Sequence, residues 1–192
     1  MAEKKKGVFQ FRPRYATDKF ETGLMSEYLN IFQALRYKPI SLLEIGVAQG
    51  GSIRFFEDYF EHPKTKIVGI DHQKPLVDTK FNDKIIFEVG SQNDAAFLDN
   101  IGKKHGKFDV IIDDGAHTFK ETKTTYQSLY KHVRPGGYYI IEDWGAELLG
   151  PKYAGMIDLT MNICKRHVAN GSEVTLKKGY RFFYLCIRKK FK

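Results

Sequence analysis

Short apolar runs of strand length alternate with segments of helical periodicity along most of this chain. The runs cover residues 41–47, 66–70, 84–89, 108–112 and 138–141, and the helical segments 23–37, 52–60, 94–105, 119–132 and 153–169. Residues 134–137, R-P-G-G, predict a turn before the last of these runs. Strands that alternate with helices pair in parallel through right-handed crossovers. Two final β-rich runs, 172–178 and 180–189, predict an antiparallel C-terminal hairpin. The pattern therefore predicts an α/β fold with a doubly wound, mostly parallel sheet and helices on both faces.

The length of the chain suits one domain with a sizeable core. At 192 residues and 42% hydrophobic residues, it predicts a basic N-terminal segment over 1–14 and a single domain over 15–192. No apolar run approaches the roughly 18 residues of a transmembrane helix, and no apolar block follows the charged N-terminus as in a signal peptide. Two cysteines make neither a disulfide framework nor a zinc site, so we expect a cytoplasmic protein.

The positive charge of the chain lies at its two ends. The formal net charge is +8, with +4 in residues 1–14, +7 in residues 174–192 and −3 in the body between them. Basic ends can bind nucleic acid, anionic lipid or an acidic partner, or they can be solvated termini that aid solubility. No aromatic RNA-recognition signature accompanies them, so nucleic acid is a less favoured partner than a small molecule.

Polar residues gather where the predicted strands end. They are 44–52, Asp71, Ser91 and Gln92, 113–117, and Glu142 with Asp143. Open parallel sheets bind ligands outside the carboxyl ends of their strands. We therefore expect a ligand site at this edge of the sheet.

The loop after the first strand is rich in glycine, which lets a backbone approach a ligand closely. Its spacing is not G-x-G-x-x-G and it lacks the lysine of a nucleotide triphosphate loop, so a triphosphate is disfavoured. Asp71 ends the second strand, where an acid typically accepts from the hydroxyls of a ribose. Tight packing of the loop and a turn or helix cap at Asp71 are the structural alternatives.

The acids after the fourth and fifth strands can converge, because those strands should be neighbours. Asp114, Glu142 and Asp143 would offer only oxygen ligands, which favours Mg²⁺ or another divalent cation. Such an ion lowers the pKa of a hydroxyl that it binds. An imidazole suits removal of a hydroxyl proton, and His117 follows Asp114 by three residues, which puts it near the same ligand. The alternative is a helix cap and turn without chemistry.

The motifs EIGVAQGGS, VGIDHQ and the acidic pair after FDVII resemble the class I S-adenosylmethionine-dependent methyltransferases, which have a Rossmann-like fold. The resemblance covers roughly residues 40–145. It implies S-adenosylmethionine as cofactor, with the ribose on the acid that ends the second strand. The cofactor-binding residues that it implies are Glu44, Gly46, Gly50, Ser52, Asp71, Ser91, Gln92 and Asp113.

A narrower resemblance rests on D-D-G-A-H at 113–117, R-P-G-G-Y at 134–138 and I-E-D at 141–143. These are similar to the metal-dependent sugar O-methyltransferases of the macrocin and mycinamicin type and to the cephalosporin-hydroxylase-like group. T-D-K at 17–19 also resembles a motif of these relatives, whereas Ala116 replaces their serine. The resemblance implies catalytic His117 and Asp114, and a metal on Asp114, Glu142 and Asp143.

The predicted function is therefore Mg²⁺-assisted methyl transfer to a hydroxyl of a small molecule such as a sugar or glycosylated metabolite. Two alternatives stay open at this point. One is a methyltransferase acting on RNA or another polyanion that the basic termini recruit. The other is a non-catalytic domain that binds a metal or ligand. The sequence also leaves open whether the chain forms a homo-oligomer.

Overall fold

The computed structural model describes residues 15–73 and 83–191 of the chain. The basic segment predicted over 1–14 lies outside the described residues. Within the described residues, seven strands form one sheet: β1 (Ser41–Ile45), β2 (Lys66–Asp71), β3 (Ile85–Val89), β4 (Phe108–Asp113), β5 (Val133–Glu142), β6 (Glu173–Lys178) and β7 (Phe183–Arg188).

The order of the strands is β3-β2-β1-β4-β5-β7-β6. The pairs from β3 to β5 are parallel, whereas β7 is antiparallel to both β5 and β6. The predicted doubly wound, mostly parallel sheet with an antiparallel C-terminal hairpin is confirmed. The chain winds outward from β1 to β3 and then returns to β4, so the strand order reverses between β1 and β4. A crevice opens above such a reversal, which sets the place of a ligand.

In the part of the chain that the structure describes, six α-helices connect and cover the strands. They are α1 (Lys19–Thr22), α2 (Leu24–Phe32), α3 (Gly51–Tyr59), α4 (Ala95–His105), α5 (Phe119–Leu129) and α6 (Met156–Ala169). Short 3₁₀ turns extend α2 and α5 and fill the link from β5 to α6. Among the described residues, no helix has the length and apolar character that crossing a membrane requires.

The sheet has an apolar core on each face. Side chains alternate across a strand, so Leu43 of β1 packs into one core and Leu42 into the other. Helices α4, α5 and α6 cover the first core, and α2 and α3 cover the second. All five residues of β1 are buried. This two-sided burial explains the continuous apolar run that the sequence shows there.

The start of β5 departs from the sequence-based interpretation. Residues 134–137 were expected to form a turn before the strand, but β5 already begins at Val133, which pairs with Phe108. The register with β4 then shifts, so that residues 134–137 form a bulge inside the strand. Gly136 donates its N–H to the carbonyl of Lys189, which stabilises the bulge beside the end of β7. The expectation of a separate turn was wrong.

Candidate functional site

A cavity of about 630 Å³ opens at the carboxyl edge of the sheet. Its walls come from the ends of β1 to β5, from α1 and from the turn between β6 and β7. This is the edge at which the sequence predicted a site. The predicted site residues that line the cavity are Gly46, Asp71, Ser91, Gln92, Asp114, His117, Glu142 and Asp143.

The other predicted cofactor residues are not part of the cavity wall. Glu44 is fully buried, and its Oε1 accepts a hydrogen bond of 2.7 Å from the hydroxyl of Ser52. Gly50 precedes the first residue of α3 with φ of +80°. Asp113 is buried at the end of β4. These four residues therefore shape the loops that carry the cavity wall, and their contact with a cofactor stays a prediction.

Gly46 lets the loop after β1 cross the end of β4. Its φ is +85°, and a Cβ atom added there would lie 2.0 Å from the carbonyl oxygen of Asp114. No residue with a side chain fits at that distance from a backbone. The Asp114 N–H donates to the carbonyl of Ile45 over 2.9 Å, which fixes the two loops to each other. The glycine thus places the β1 loop directly against the acidic loop.

Asp71 is held rigidly at one end of the cavity. Its Oδ2 accepts the N–H of Ala48 at 2.8 Å, and its Oδ1 accepts the N–H of His72 at 2.7 Å. The ring of His72 also lies against Oδ1, with Nδ1 at 2.6 Å. A carboxylate oxygen has two acceptor positions, and Oδ2 uses only one of them for Ala48. Asp71 is therefore oriented to accept hydrogen bonds from a ligand's hydroxyl groups.

Gln92 joins the loop after β3 to the loop after β4. Its Nε2 donates to Oδ1 of Asp113 over 2.8 Å, and its Oε1 accepts the N–H of Ala116 at 2.8 Å. Burial raises the pKa of Asp113 to about 8. Gln92 therefore supports the acidic loop from the side of the cavity that Asp71 and Ser91 line.

Asp114, His117 and Asp143 come together at the other end of the cavity. Each offers one ligand atom, and these atoms all lie within 4.8 Å of one another. Nε2 of His117 is 3.7 Å from Oδ1 of Asp114 and 3.8 Å from Oδ2 of Asp143. The cluster combines carboxylate oxygens with an imidazole, a donor set that can hold a divalent cation.

Two members of the cluster have strained backbones. The φ angles are +54° at His117 and +50° at Asp143. Residues other than glycine rarely adopt this left-handed conformation, and those that do collect at functional sites. The strain turns both side chains toward Asp114, which follows β4 directly.

Glu142, the third acid predicted to bind a metal, is engaged by two residues of the N-terminal helices. Its Oε1 accepts a hydrogen bond of 2.5 Å from the hydroxyl of Tyr28, and its Oε2 lies 2.8 Å from Nζ of Lys19. The same Nζ contacts Oδ2 of Asp114. The structure therefore places Glu142 beside the cluster but not in it.

Burial dominates the electrostatics of this end of the cavity. It raises the pKa of Glu44, Asp114 and Glu142 to about 7 each, although Lys19 partly offsets the rise. Burial alone would lower the pKa of Lys19, but Glu142 and Asp114 raise it well above its ordinary value. The ammonium of Lys19 is therefore a permanent positive charge among carboxyl groups that cannot all ionise easily.

Sequence reasoning assigned no role to Lys19 or Tyr28. The similarity of T-D-K at 17–19 to relatives was the only signal for Lys19. Tyr28 fits the apolar face of α2 and is fully buried, so its pattern indicates core packing. Only the folded chain shows that both side chains reach Glu142, which is more than 110 residues away in sequence.

Comparison with known proteins agrees with this geometry. A family model described as a methyltransferase domain matches residues 43–144. Mycinamicin VI 2''-O-methyltransferase of Micromonospora griseorubida is 36% identical over 169 residues, which are 81% of this chain and 40% of that protein. Demethylmacrocin O-methyltransferase of Streptomyces fradiae is 34% identical over 144 residues, covering 69% and 35%. The chain thus spans about two fifths of the length of these relatives.

A solved structure of MycE, the methyltransferase of the mycinamycin biosynthetic pathway, superposes with a TM-score of 0.78 and 27% identity. The match covers 95% of this chain and 53% of that one. That structure is a complex with Mg, S-adenosylhomocysteine (SAH) and mycinamycin VI. These matches show that the chain belongs to the methyltransferase-domain family. They confirm the resemblance of its motifs to the class I S-adenosylmethionine-dependent methyltransferases.

Proposed function

We propose that this chain is an S-adenosylmethionine-dependent, divalent-metal-assisted O-methyltransferase that acts on a hydroxyl of a small molecule. The observation that carries the proposal is that one cavity unites Asp71 at one end with Asp114, His117 and Asp143 at the other. The first end suits a ribose, and the second suits a hydroxyl group that must lose a proton. Methyl transfer from a nucleoside cofactor to a hydroxyl requires both in one place.

The cavity fits the cofactor that the family uses. The close crossing at Gly46 exposes loop backbone to the cavity without an intervening side chain. Asp71 would accept hydrogen bonds from the ribose hydroxyls, and Ser91 and Gln92 would flank the adenine. We place the methionine portion along the β1 loop, near Gly46. When bound, the cofactor would supply the methyl group, and a divalent ion would lower the pKa of the acceptor hydroxyl.

Asp114 and Asp143 are the residues that we assign to a divalent ion. Their oxygens converge with Nε2 of His117, and Mg²⁺ in proteins is commonly held by one or two carboxylates. The sequence-based assignment of Glu142 to the same ion stays a prediction. Its two oxygens accept hydrogen bonds from Tyr28 and Lys19. We assign His117 to proton removal from the acceptor hydroxyl. Methyl transfer then depends on alignment of that oxygen with the cofactor.

The proposal for the acceptor rests on the relatives. They include enzymes named for methylation of mycinamicin VI, of demethylmacrocin and of a rhamnosyl tetracenomycin, which supports a sugar or glycosylated metabolite as acceptor. The alternative of an RNA acceptor depends on the two basic ends, residues 1–14 and 174–192, and stays a prediction. The first of these ends lies outside the described residues. The cytoplasmic location and a homo-oligomeric assembly stay predictions.

Calorimetry with SAH tests the cofactor part of the proposal. We expect one SAH per chain in the wild type and at least tenfold weaker binding in Asp71→Asn, which loses a charged acceptor but keeps the shape of the side chain. Asp58→Asn, a surface aspartate on α3 beyond the cavity wall, is the matched control and should keep the wild-type affinity. Wild-type protein that binds no SAH would refute the proposal.

Methyl transfer to a panel of glycosides, with and without EDTA, tests the rest. We expect turnover in Mg²⁺ and its loss in EDTA, while the SAH affinity is unchanged. Turnover that persists in excess EDTA would contradict the metal role and leave the methyltransferase assignment standing.

A further inference from the structure

The turn between β6 and β7 contributes an arginine to the wall of the cavity. The N–H of Gly179 donates to the carbonyl of Phe182 over 2.9 Å, so Tyr180 and Arg181 form a two-residue corner. Tyr180 is 93% exposed and is not part of the cavity wall, whereas Arg181 lines the cavity. Phe182 is buried in the second core, where its ring stacks on that of Tyr184. This anchor holds the corner, and with it Arg181, at the edge of the cavity.

Backbone pairing places Arg181 at the end of the cavity that we assign to the acceptor. The N–H of Asp143, which belongs to the acidic cluster, donates to the carbonyl of Phe183 over 2.7 Å. Phe183 comes two residues after Arg181, and two residues of chain span about 7 Å at most. Asp71, which suits the ribose, follows β2, and three strands separate β2 from β7. Arg181 therefore belongs to the acceptor end rather than to the cofactor end.

The charge of Arg181 has no counter-ion within the part of the protein that the structure describes. No hydrogen bond or ion pair among those residues engages its exposed guanidinium. Lys19, the other lysine or arginine of the wall, is buried against carboxyl groups. Asp18, an acid of the wall whose carboxylate also lacks a partner among the described residues, forms no ion pair with Arg181. The guanidinium is therefore available to a ligand in the cavity.

A guanidinium suits an oxyanion better than it suits a neutral hydroxyl group. Its five N–H donors form a planar fork that can bind two oxygens of a carboxylate or a phosphate at once. Such charge-assisted hydrogen bonds are stronger than bonds between neutral groups, and the paired geometry fixes the orientation of the ligand. A single hydroxyl would leave most of these donors, and the charge, to solvent. An unpaired arginine at the acceptor end thus favours an acceptor that carries a negative charge.

We propose that the acceptor carries a carboxylate or a phosphate, and that Arg181 binds this oxyanion so that the acceptor hydroxyl lies beside Asp114 and His117. Arg181 determines specificity in this scheme, since it contacts the substrate but not the reacting atoms. The inference rests on the proposed function, which places the acceptor at this end of the cavity. A glycoside of a uronic acid and a sugar phosphate both combine an oxyanion with free hydroxyl groups in one small molecule.

Binding of matched sugars to the SAH-loaded full chain tests the inference. The probes are methyl glucoside, its glucuronide counterpart and glucose 1-phosphate, with the galactose equivalents as a second set, and NMR titration gives each Kd. We expect an anionic probe to bind about tenfold more tightly than the neutral one, because it adds a hydrogen-bonded ion pair. Added NaCl should weaken only the anionic probes. Preference for the glucuronide identifies a carboxylate, and preference for the sugar phosphate identifies a phosphate.

Three variants assign the preference to Arg181. Arg181→Gln removes the charge from an exposed corner and should bind neutral and anionic probes equally, with methyl glucoside bound as in the wild type. Arg181→Lys keeps the charge without the fork and should retain part of the preference. Lys178→Gln is the matched control, because it removes a charge from the same hairpin outside the cavity wall. It should keep the wild-type preference.

Several outcomes would overturn the inference. They are equal affinity of the wild type for neutral and anionic probes, no measurable binding of any probe, and a preference that survives in Arg181→Gln.

Failure of the inference can be told from failure of the proposed function. If the wild type binds SAH and methylates neutral glycosides as fast as anionic ones, the proposed function stands and the role of Arg181 fails. If Arg181 confers the preference but S-adenosylmethionine methylates no probe, recognition of the oxyanion stands and methyl transfer fails.

Discussion

At the scale of single residues, His117 combines a strained backbone with a position between two acids. Its φ of +54° turns Nε2 toward Asp114 and Asp143, at 3.7 and 3.8 Å. A side chain that only capped the following helix would not need this conformation. His117 Nε2 borders the same cavity as Asp71, so it can reach a hydroxyl placed near the cofactor. The geometry therefore favours proton removal as its task.

We expect His117→Asn to lower kcat by about 10²- to 10⁴-fold, which is the usual contribution of a general base. Asparagine tolerates the left-handed backbone, so the loop should keep its shape. The affinity for SAH should not change, because Asp71 and the β1 loop are untouched. Steady-state kinetics and calorimetry measure the two quantities.

His62→Asn provides the matched control for that substitution. His62 lies in the loop before β2, at the amino ends of the strands, where its Nδ1 accepts the N–H of Lys64 at 3.1 Å. Its replacement should leave kcat unchanged. Wild-type turnover in His117→Asn would show that another group removes the proton.

At the scale of elements, the strands were predictable because burial on both faces imposes an apolar run. The run at 66–70 corresponds to β2 within one residue, and the hairpin of β6 and β7 follows from its β-rich segments. The bulge at 134–137 was not predictable, because Pro and Gly signal a turn equally well. Whether such a segment forms a turn or a bulge depends on hydrogen bonds to Lys189, a residue that is distant from it in sequence.

The candidate site was predictable where its residues follow strands directly. Asp71, Asp114 and Asp143 all line the cavity, since the carboxyl ends of parallel strands meet at one edge. The positions of Lys19 and Tyr28 were not predictable, because both residues belong to helices, and the packing of a helix decides where its side chains point. Ser52 belongs to the glycine loop in sequence, but its hydroxyl turns inward to Glu44.

Burial of a carboxyl group at the end of β4 makes the stability of the fold depend on pH. Asp113 has a pKa of about 8 in the folded chain, against an ordinary value of 3.8. Between about pH 4 and pH 8, the folded state therefore keeps a proton that the unfolded chain has released. Its contribution to the free energy of unfolding falls as pH rises through this window, by about 1.4 kcal/mol per pH unit at most.

We expect Asp113→Asn to gain stability relative to the wild type as pH rises from 5 to 8, because the amide does not titrate. Urea unfolding at each pH measures the difference. Asp99→Asn is the control. A hydrogen bond from Lys131 lowers the pKa of Asp99, so its carboxyl group is ionised in both the folded and the unfolded chain across this pH range. Its difference from the wild type should stay constant. An Asp113→Asn difference that is equal at pH 5 and pH 8 would contradict the assignment.

At the scale of the whole molecule, the two halves of the sheet contribute different parts of the site. Strands β1 to β3 carry the glycine loop, Asp71, Ser91 and Gln92, whereas β4 and β5 carry the acidic cluster. The crossing of Gly46 over Asp114 joins the halves. Cofactor and metal should therefore bind to separate elements that share one cavity and one sheet.

This division predicts how ligands stabilise the molecule. A ligand that binds only the folded state adds about 2.7 kcal/mol at one hundred times its Kd, which corresponds to about 5–10 °C in Tm for a chain of this size. We expect SAH and Mg²⁺ each to raise Tm, and Asp71→Asn to lose the SAH shift while it keeps the Mg²⁺ shift. Asp114→Asn should do the reverse. Thermal unfolding of the three proteins with each ligand measures this, and loss of both shifts in either variant would show that the halves are not separable.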